Sequence, residues 1–257
     1  MCKRIISIIL VIVFVVSFAS CDSEDSGVTV EPPTRVAVGI AYSPEISAAQ
    51  AYASLNGYEL VEYDSRNGAA ISVENNVSNY IVINSDEATD EYISSLNLRW
   101  VEDTAYKMEY CAYFNKGSED LQKCFNSAIA EMRTDGTLSS IKQAYKTGED
   151  YKPSANPSPK GKLTILCAPV FDNRFCYNDN GEIVGVEYDI IQELCNYLSV
   201  EADIITFTDF SGMFTALEEG RGDVIISSVE YTEKREEQFL CSDIYDETTF
   251  GVYESAI

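Results

Sequence analysis

The stretch GDVIISSVEYTEKREEQFLCSDIY, residues 222–245, decides the fold. Its apolar run over 223–226 is long enough for a buried strand and too short for a core helix. After two serines and a turn, Thr232 stands at an N-cap position before a short helix over 233–238. The pattern therefore predicts a buried strand whose carboxyl end faces the start of a short helix.

The same strand end gathers the groups that proteins use to bind small anions. Ser228 follows the strand, Thr232 caps the helix and Arg235 lies in its first turn. Hydroxyls, free backbone N–H groups and a guanidinium together favour a bidentate carboxylate. The alternative is a surface Arg235 paired with the glutamates at positions 233, 236 and 237. These residues by themselves do not decide between the two.

From residue 162 onward the chain resembles the extracellular solute-binding proteins of family 3, which serve ABC importers of polar amino acids. The matching pieces follow the family's order: KLTILCAP, NRFCYNDNGEIVGVEYDIIQELCNYL, a strand over 201–207, DFSGMFTALEEGRGDVIISS, YTEKR and CSDIY. The resemblance implies that Arg235 binds a ligand carboxylate, with Ser228 and Thr232 beside it. It also implies that Phe175 and Phe210 line the pocket.

The first half of the chain resembles the second lobe and the C-terminal helices of the same family, through VAVGIAYSPE, SNYIVINSDEA and the segment 116–148. Ser43 followed by Pro44 is a strong helix start, whose free N–H groups either hold part of an anionic ligand or are simply capped. Asn84 stands where the family carries the aspartate that pairs with a ligand ammonium group. The departure argues against a standard α-amino acid ligand, although Asp86, two residues on, could substitute for the missing aspartate.

These resemblances imply a two-lobed α/β fold of the type II periplasmic-binding-protein kind, with the lobes in permuted order. The expected parts are a lipoprotein signal peptide (1–20), a flexible tether (21–34), a second-lobe-like unit (35–108), a hinge strand with C-terminal-type helices (109–150), a Pro/Ser linker (151–160), a first-lobe-like unit (161–243) and a second hinge strand (244–257). Two strands near 110–115 and 244–253 should cross side by side between the lobes. The rival interpretation is a fragment of a tandem pair, which predicts the same contacts if the two halves pack together.

The N-terminus has the pattern of an export signal. Lys3 and Arg4 precede an apolar run over 5–18 and then FASC, which ends at Cys21. This run is shorter than the roughly 20 apolar residues that cross a bilayer. We therefore expect lipid on Cys21 and a protein anchored at the outer face of the cell membrane or in the periplasm. An uncleaved anchor would leave the rest of the chain on the same side.

Composition excludes several function classes. The chain carries 42 acidic and 18 basic residues, a net charge of −24, which repels nucleic acid and anionic lipid. It has no histidine, which argues against Ser/His or Cys/His catalysis and transition-metal sites, so no cofactor or metal is expected. An exported chain permits disulfides, but the cysteines are irregularly spaced, and buried free thiols are an equal alternative: Cys111, Cys124, Cys167, Cys176, Cys195 and Cys241.

The leading hypothesis is a monomeric protein that captures a small polar solute between two lobes and delivers it to a membrane ABC permease. One alternative is an enzyme on the same scaffold, similar to the cyclohexadienyl dehydratases, with Glu187, Asp189 or Glu230 as general acid. Another is a sensor that signals ligand binding to a separate partner chain. Turnover of prephenate or arogenate would distinguish the enzyme from the binding protein.

Overall fold

The computed structural model describes residues 32–39, 43–155, 158–169 and 174–257. Within these residues the strands are β1 (Arg35–Gly39), β2 (Glu59–Tyr63), β3 (Tyr80–Asn84), β4 (Leu98–Tyr110), β5 (Tyr113–Phe114), β6 (Lys162–Cys167), β7 (Cys176–Tyr177), β8 (Ile183–Val184), β9 (Glu201–Thr206), β10 (Val224–Ile225), β11 (Leu240–Cys241) and β12 (Asp246–Ser255). The helices are α1 (Ser43–Asn56), α2 (Arg66–Glu74), α3 (Asp90–Ser95), α4 (Glu119–Thr134), α5 (Thr137–Thr147), α6 (Val186–Tyr197), α7 (Phe210–Glu218) and α8 (Glu233–Gln238). The signal peptide, most of the tether and Cys21 lie outside the described residues.

The strands form two five-stranded mixed sheets, so the predicted two-lobed α/β fold is confirmed. One sheet has the order β2-β1-β3-β12-β4 and, with α1 to α3, forms what we call lobe A. The other has the order β11-β5-β10-β6-β9 and, with α4 to α8, forms lobe B. In each sheet three neighbouring strands run parallel, and each of the other two strands is antiparallel to the strands beside it.

The central strands of both sheets are buried on both faces, as expected for parallel strands covered by helices. In β1 the side chains of Val36 and Val38 enter one apolar cluster and that of Ala37 enters another. In β6, Ile165 and Leu166 divide in the same way between the two clusters of lobe B. This alternation follows from the two-residue repeat of a strand, and it fixes the register that brings the strand ends together.

Two chain segments pass between the lobes side by side. One runs from β4 into β5, and the other runs from β11 into β12. Tyr110 pairs with Asp246 in the β4–β12 ladder, and the Tyr245 N–H donates to the Tyr110 carbonyl at 3.0 Å. These connections lie in the segments for which the sequence predicts crossing strands, near 110–115 and 244–253, and the role of these segments as hinges stays a prediction. Each half of the chain therefore contributes to both sheets, while the permuted origin of this order stays a prediction.

Among the described residues, no helix combines the length and the apolarity needed to cross a membrane.

The six cysteines of this part of the chain are all free thiols, and Cys111, Cys167 and Cys195 are buried.

Gly185, at the N-cap of α6, gives a direct test of the packing beside the lobe junction. Its φ is +123°, and a Cβ there would lie 2.3 Å from the Arg174 carbonyl oxygen. We expect Gly185→Ala to lower the free energy of unfolding by about 2 kcal/mol or more, because the backbone carbonyl cannot move aside cheaply. Urea denaturation measures the loss.

The matched control for this substitution is Gly117→Ala. Gly117 also has a positive φ, +98°, but nothing lies within 4 Å of the added Cβ. It therefore carries the backbone strain without the clash. Equal losses in the two variants would contradict the described contact at Gly185.

Candidate functional site

The carboxyl ends of the parallel strands converge on the junction between the lobes. After β10 the chain places Ser227 and Ser228, which are both buried. The Ser227 hydroxyl accepts the Ala168 N–H at 2.9 Å, which ties the end of β10 to the end of β6. Ser228 adopts a left-handed backbone with φ of 48°. That turn directs its N–H and hydroxyl toward the start of α6.

Ser228 binds Glu187, a fully buried carboxylate in the first turn of α6. The Ser228 N–H and hydroxyl each donate to one Glu187 oxygen at 2.7 Å. The hydroxyl of the buried Tyr245 also donates to Glu187. The sequence assigns Ser228 to ligand binding, but in this structure its N–H and hydroxyl donate to an internal carboxylate.

Arg174 sits at the centre of this cluster and is 9% exposed. Its Nε donates to the Ser228 hydroxyl at 3.0 Å, and its Nη2 bonds Asp246. Its Nη1 donates to Asp86 of lobe A at 3.2 Å. The guanidinium carbon lies 4.5 Å from the Tyr110 ring centroid. Arg174 therefore joins the two lobes through charged hydrogen bonds.

Electrostatics keep this arginine charged. Burial by itself would lower the pKa of Arg174, but the nearby carboxylates, first among them Asp246, outweigh burial and raise its pKa. Lys142 forms a second ion pair with Asp246. Burial raises the pKa of the Tyr110 hydroxyl to about 12, so that group stays protonated beside the arginine.

Arg235 lies in the same region with a different set of contacts. Its Nη1 donates to the Glu230 carbonyl at 2.6 Å, and its guanidinium carbon lies 5.7 Å from the Phe214 ring centroid. No carboxylate in the described part of the chain forms an ion pair with it. The alternative from the sequence, a surface pairing with the glutamates of α8, is therefore absent from the described structure.

The local structure that positions Arg235 follows the sequence prediction closely. The helix α8 spans Glu233–Gln238, and the Thr232 hydroxyl accepts the Arg235 N–H at 3.3 Å. The N-cap and the helix bounds are both confirmed. Since the hydroxyl of Thr232 caps the helix, its contact with a ligand stays a prediction.

Glu230 connects the surroundings of Arg235 to lobe A. Its carbonyl accepts both Arg235 and the Tyr113 hydroxyl, the latter at 2.5 Å. Its carboxylate accepts the hydroxyl of Tyr106, a residue of β4, at 3.1 Å. Glu230 thus contacts residues on both sides of the junction. The sequence indicates Glu230 only as one of three candidate general acids and does not predict these contacts.

On lobe A the predicted residues lie at the ends of β3 and the start of α1. The Asn84 side chain accepts the Asp86 N–H at 2.9 Å, a local turn contact. Asp86 accepts Thr248 at 2.7 Å in addition to Arg174, with 38% of its side chain exposed. Ser43 begins α1, but its side chain lies outside the described part of the structure.

Glu45, in the first turn of α1, accepts the Asn84 N–H at 2.8 Å and Arg66 at 2.7 Å. Burial raises the pKa of this carboxyl, and the Arg66 charge opposes the rise. The start of α1 is therefore joined to the end of β3 by an internal acid. No signal in the sequence distinguishes this acid from the many others.

The two predicted pocket aromatics have different surroundings. Phe175 is fully buried in the larger core of lobe B, with no exposed surface in this structure. Phe210 begins α7 and packs against the smaller lobe B cluster. Phe214, one turn further along α7 and not singled out from the sequence, is the ring beside Arg235.

A surface cavity of about 460 Å³ lies elsewhere, between the 151–160 linker and α6. Its lining includes Ser154, Tyr188 and Asn196 and shares no residue with the contacts of Arg174 or Arg235. Among the described residues, no group of three acidic or cysteine side chains could hold a metal ion.

Comparison with known families identifies part of the chain. The model of the bacterial extracellular solute-binding proteins, family 3, matches residues 170–255. The match covers 86 of the 257 residues. The matched segment contains Arg174, Ser228, Glu230 and Arg235, so most of the junction cluster is family sequence. Nothing in this match bears on the permuted order of the lobes.

A curated relative is the membrane-bound lytic murein transglycosylase F of Pseudoalteromonas translucida (strain TAC 125), 36% identical over 61 residues. The match covers 24% of this chain and 13% of that protein, so the chain spans a small part of the relative's length.

Two solved structures are similar over most of the chain. The ancestral amino acid-binding protein AncCDT-1, a precursor of cyclohexadienyl dehydratase, has a TM-score of 0.38 at 12% identity, with 86% of this chain and 80% of that chain covered. A phosphate-binding protein of a phosphate ABC transporter from Streptococcus pneumoniae TIGR4 has a TM-score of 0.44 at 14% identity, with 87% and 88% covered.

Proposed function

We propose that this protein captures a small solute with a carboxylate group at the junction of its two lobes, with Arg235 as the anchor. The observation that carries the proposal is the isolation of this cation. Seven arginines lie in the described residues, and five of them pair with a carboxylate. Arg235 has no such partner among the described residues, although the chain holds 42 acids.

The guanidinium of Arg235 is fixed in an orientation that leaves donors available for an anion. The Glu230 carbonyl fixes Nη1, and the Phe214 ring supports the group from one side. Among the described residues no acceptor is bound to Nε or Nη2, and these two donors form the edge that bonds both oxygens of a carboxylate. A side chain fixed in advance loses little entropy when the ligand binds.

The surroundings of Arg235 favour a ligand that also carries a positive group. The Glu230 carboxylate accepts a hydrogen bond from Tyr106, and a carboxylate has room for several more. Asp86 adds a second acid at the lobe A side and remains partly exposed. An amino acid or a similar zwitterion therefore suits the site better than a simple dicarboxylate.

We further propose delivery of this solute to an ABC permease at the outer face of the membrane, with a lipid on Cys21 as the anchor. The family description as extracellular solute-binding proteins supports the location. The basic start, the apolar run and Cys21 support the anchor. The permuted order of lobes is part of this proposal; each half of the chain contributes strands to both sheets, which a permuted chain and a packed tandem fragment both predict.

A thermal-shift screen of the purified protein tests the proposal. The panel contains the standard amino acids, dicarboxylates, amines without a carboxylate, and inorganic phosphate. We expect an amino acid or related zwitterion to raise the melting temperature, because a ligand bound only to the folded state stabilises it by about 2.7 kcal/mol at 100 times its Kd.

The other outcomes of the screen are also informative. A shift with the amines but with no carboxylate would overturn the assignment of Arg235 as the anchor. Conversion of prephenate or arogenate by the same sample would favour the enzyme alternative over simple capture.

A further inference from the structure

Two cysteines lie on neighbouring segments where the crossing segments leave lobe B. Cys241 of β11 lies opposite Tyr113 of β5, and Cys111 is two residues before Tyr113 on the same face. The next residues hold the strands together, because the Ser242 N–H donates to the Ala112 carbonyl at 2.9 Å. Cys111 and Cys241 also belong to the same apolar cluster. The two side chains are also close enough to influence each other electrostatically.

The two thiols differ in chemical character. Cys111 is fully buried, whereas Cys241 is partly exposed. The Cys111 S–H, followed by the charges of Lys116 and Arg235, lowers the pKa of Cys241 against the effect of burial. The Cys241 sulfur and burial together raise the pKa of Cys111. Of the two, Cys241 is the thiol partly exposed to solvent, so it is the one that an external disulfide can reach, and Cys111 is placed to resolve the mixed disulfide.

We propose that Cys111 and Cys241 are a dithiol that closes into a disulfide by exchange with an external disulfide, either a small molecule or a thiol–disulfide oxidoreductase. The Cys241 thiolate attacks one sulfur of the external disulfide and releases its other half as a thiolate. The Cys111 thiol loses its proton and attacks the Cys241 sulfur of the mixed disulfide, which expels the second half. One external disulfide is reduced to two thiols, and the two cysteines are oxidised.

The bond would fasten the two crossing segments at their lobe B end. It would join β5, which follows the crossing strand β4, to β11, which precedes the crossing strand β12. Tyr113, which pairs with Cys241, donates its hydroxyl to the Glu230 carbonyl, to which Arg235 also donates. The disulfide would thus limit movement in the layer that supports the proposed anion site. An exported protein meets the oxidising conditions that such bonds require.

Non-reducing peptide mapping of the full chain tests the proposal. The protein is equilibrated with oxidised glutathione or with a phosphine reductant, its remaining thiols are alkylated, and its peptides are identified by mass spectrometry. We expect one cross-linked peptide that contains Cys111 and Cys241 in the oxidised sample and two alkylated peptides in the reduced sample. We also expect the oxidised protein to melt about 5–15 °C higher, as for a disulfide that closes a long loop.

Cysteine variants provide the controls. Cys241→Ser should abolish the cross-link and the difference in melting temperature, whereas Cys124→Ser, at an exposed thiol, should preserve both. If both cysteines of the folded parent protein are still found alkylated after the oxidation step, or if either one forms a disulfide with a different cysteine, the proposal is wrong. The test uses no solute, so its failure leaves the assignment of Arg235 unaffected.

Discussion

Replacing Arg235 with alanine is expected to weaken binding of the captured carboxylate at least about a hundredfold. The substitution removes two charge-assisted hydrogen bonds, each worth about 1.5–3 kcal/mol, and 1.4 kcal/mol corresponds to a tenfold change in Kd. Arg235→Lys keeps the charge but loses the planar fork, so we expect an intermediate loss of about tenfold. Isothermal titration calorimetry with the ligand found by the screen measures both.

Arg133→Ala is the matched control, because Arg133 is the other described arginine without a carboxylate partner. It is exposed on α4 and donates to the Ile244 carbonyl. Its removal should leave the Kd unchanged. The fold should survive Arg235→Ala, since the cap of α8 uses the backbone N–H of that residue. A folded Arg235→Ala protein that binds as tightly as the parent would show that the anchor lies elsewhere.

The sequence predicts those features of this site that are formed by residues close together in the chain. The strand at 223–226, the Thr232 cap and the helix α8 each follow from signals within a few residues, and the structure contains all three. Arg174 could not be found in this way. Its partners Asp86, Ser228 and Asp246 come from three distant segments, and only the folded topology brings them together.

The strand β4 shows a second limit of local patterns. The sequence predicts a strand over 98–102, but β4 continues to Tyr110 through a run of charged residues. This strand lies at the edge of the lobe A sheet, where one face meets solvent and charged side chains discourage pairing with another protein. Its extension matters for function, because it carries Tyr106 to Glu230 and Tyr110 to Arg174.

The buried network around Arg174 should dominate the stability of the junction. We expect Arg174→Met to lower the free energy of unfolding by about 3–5 kcal/mol, because buried carboxylates lose their compensating charge while methionine replaces only the volume. For a chain of this size, that loss corresponds to a melting temperature lower by roughly 6–20 °C. Urea denaturation and calorimetry of the two proteins measure the difference.

Arg221→Met is the matched control, since Arg221 forms an exposed ion pair with Glu219 at 2.9 Å. Such pairs contribute about 0–1 kcal/mol, so this variant should differ little from the parent. A double variant separates the charge effect from lost packing: Glu187→Gln removes one of the acids that Arg174 neutralises. If the network is coupled, Arg174→Met with Glu187→Gln should cost less than the sum of the two single changes, by about 0.5–3 kcal/mol. Strict additivity would mean that Arg174 and Glu187 are not coupled, and a loss for Arg174→Met as small as that for Arg221→Met would mean that the junction does not depend on this arginine.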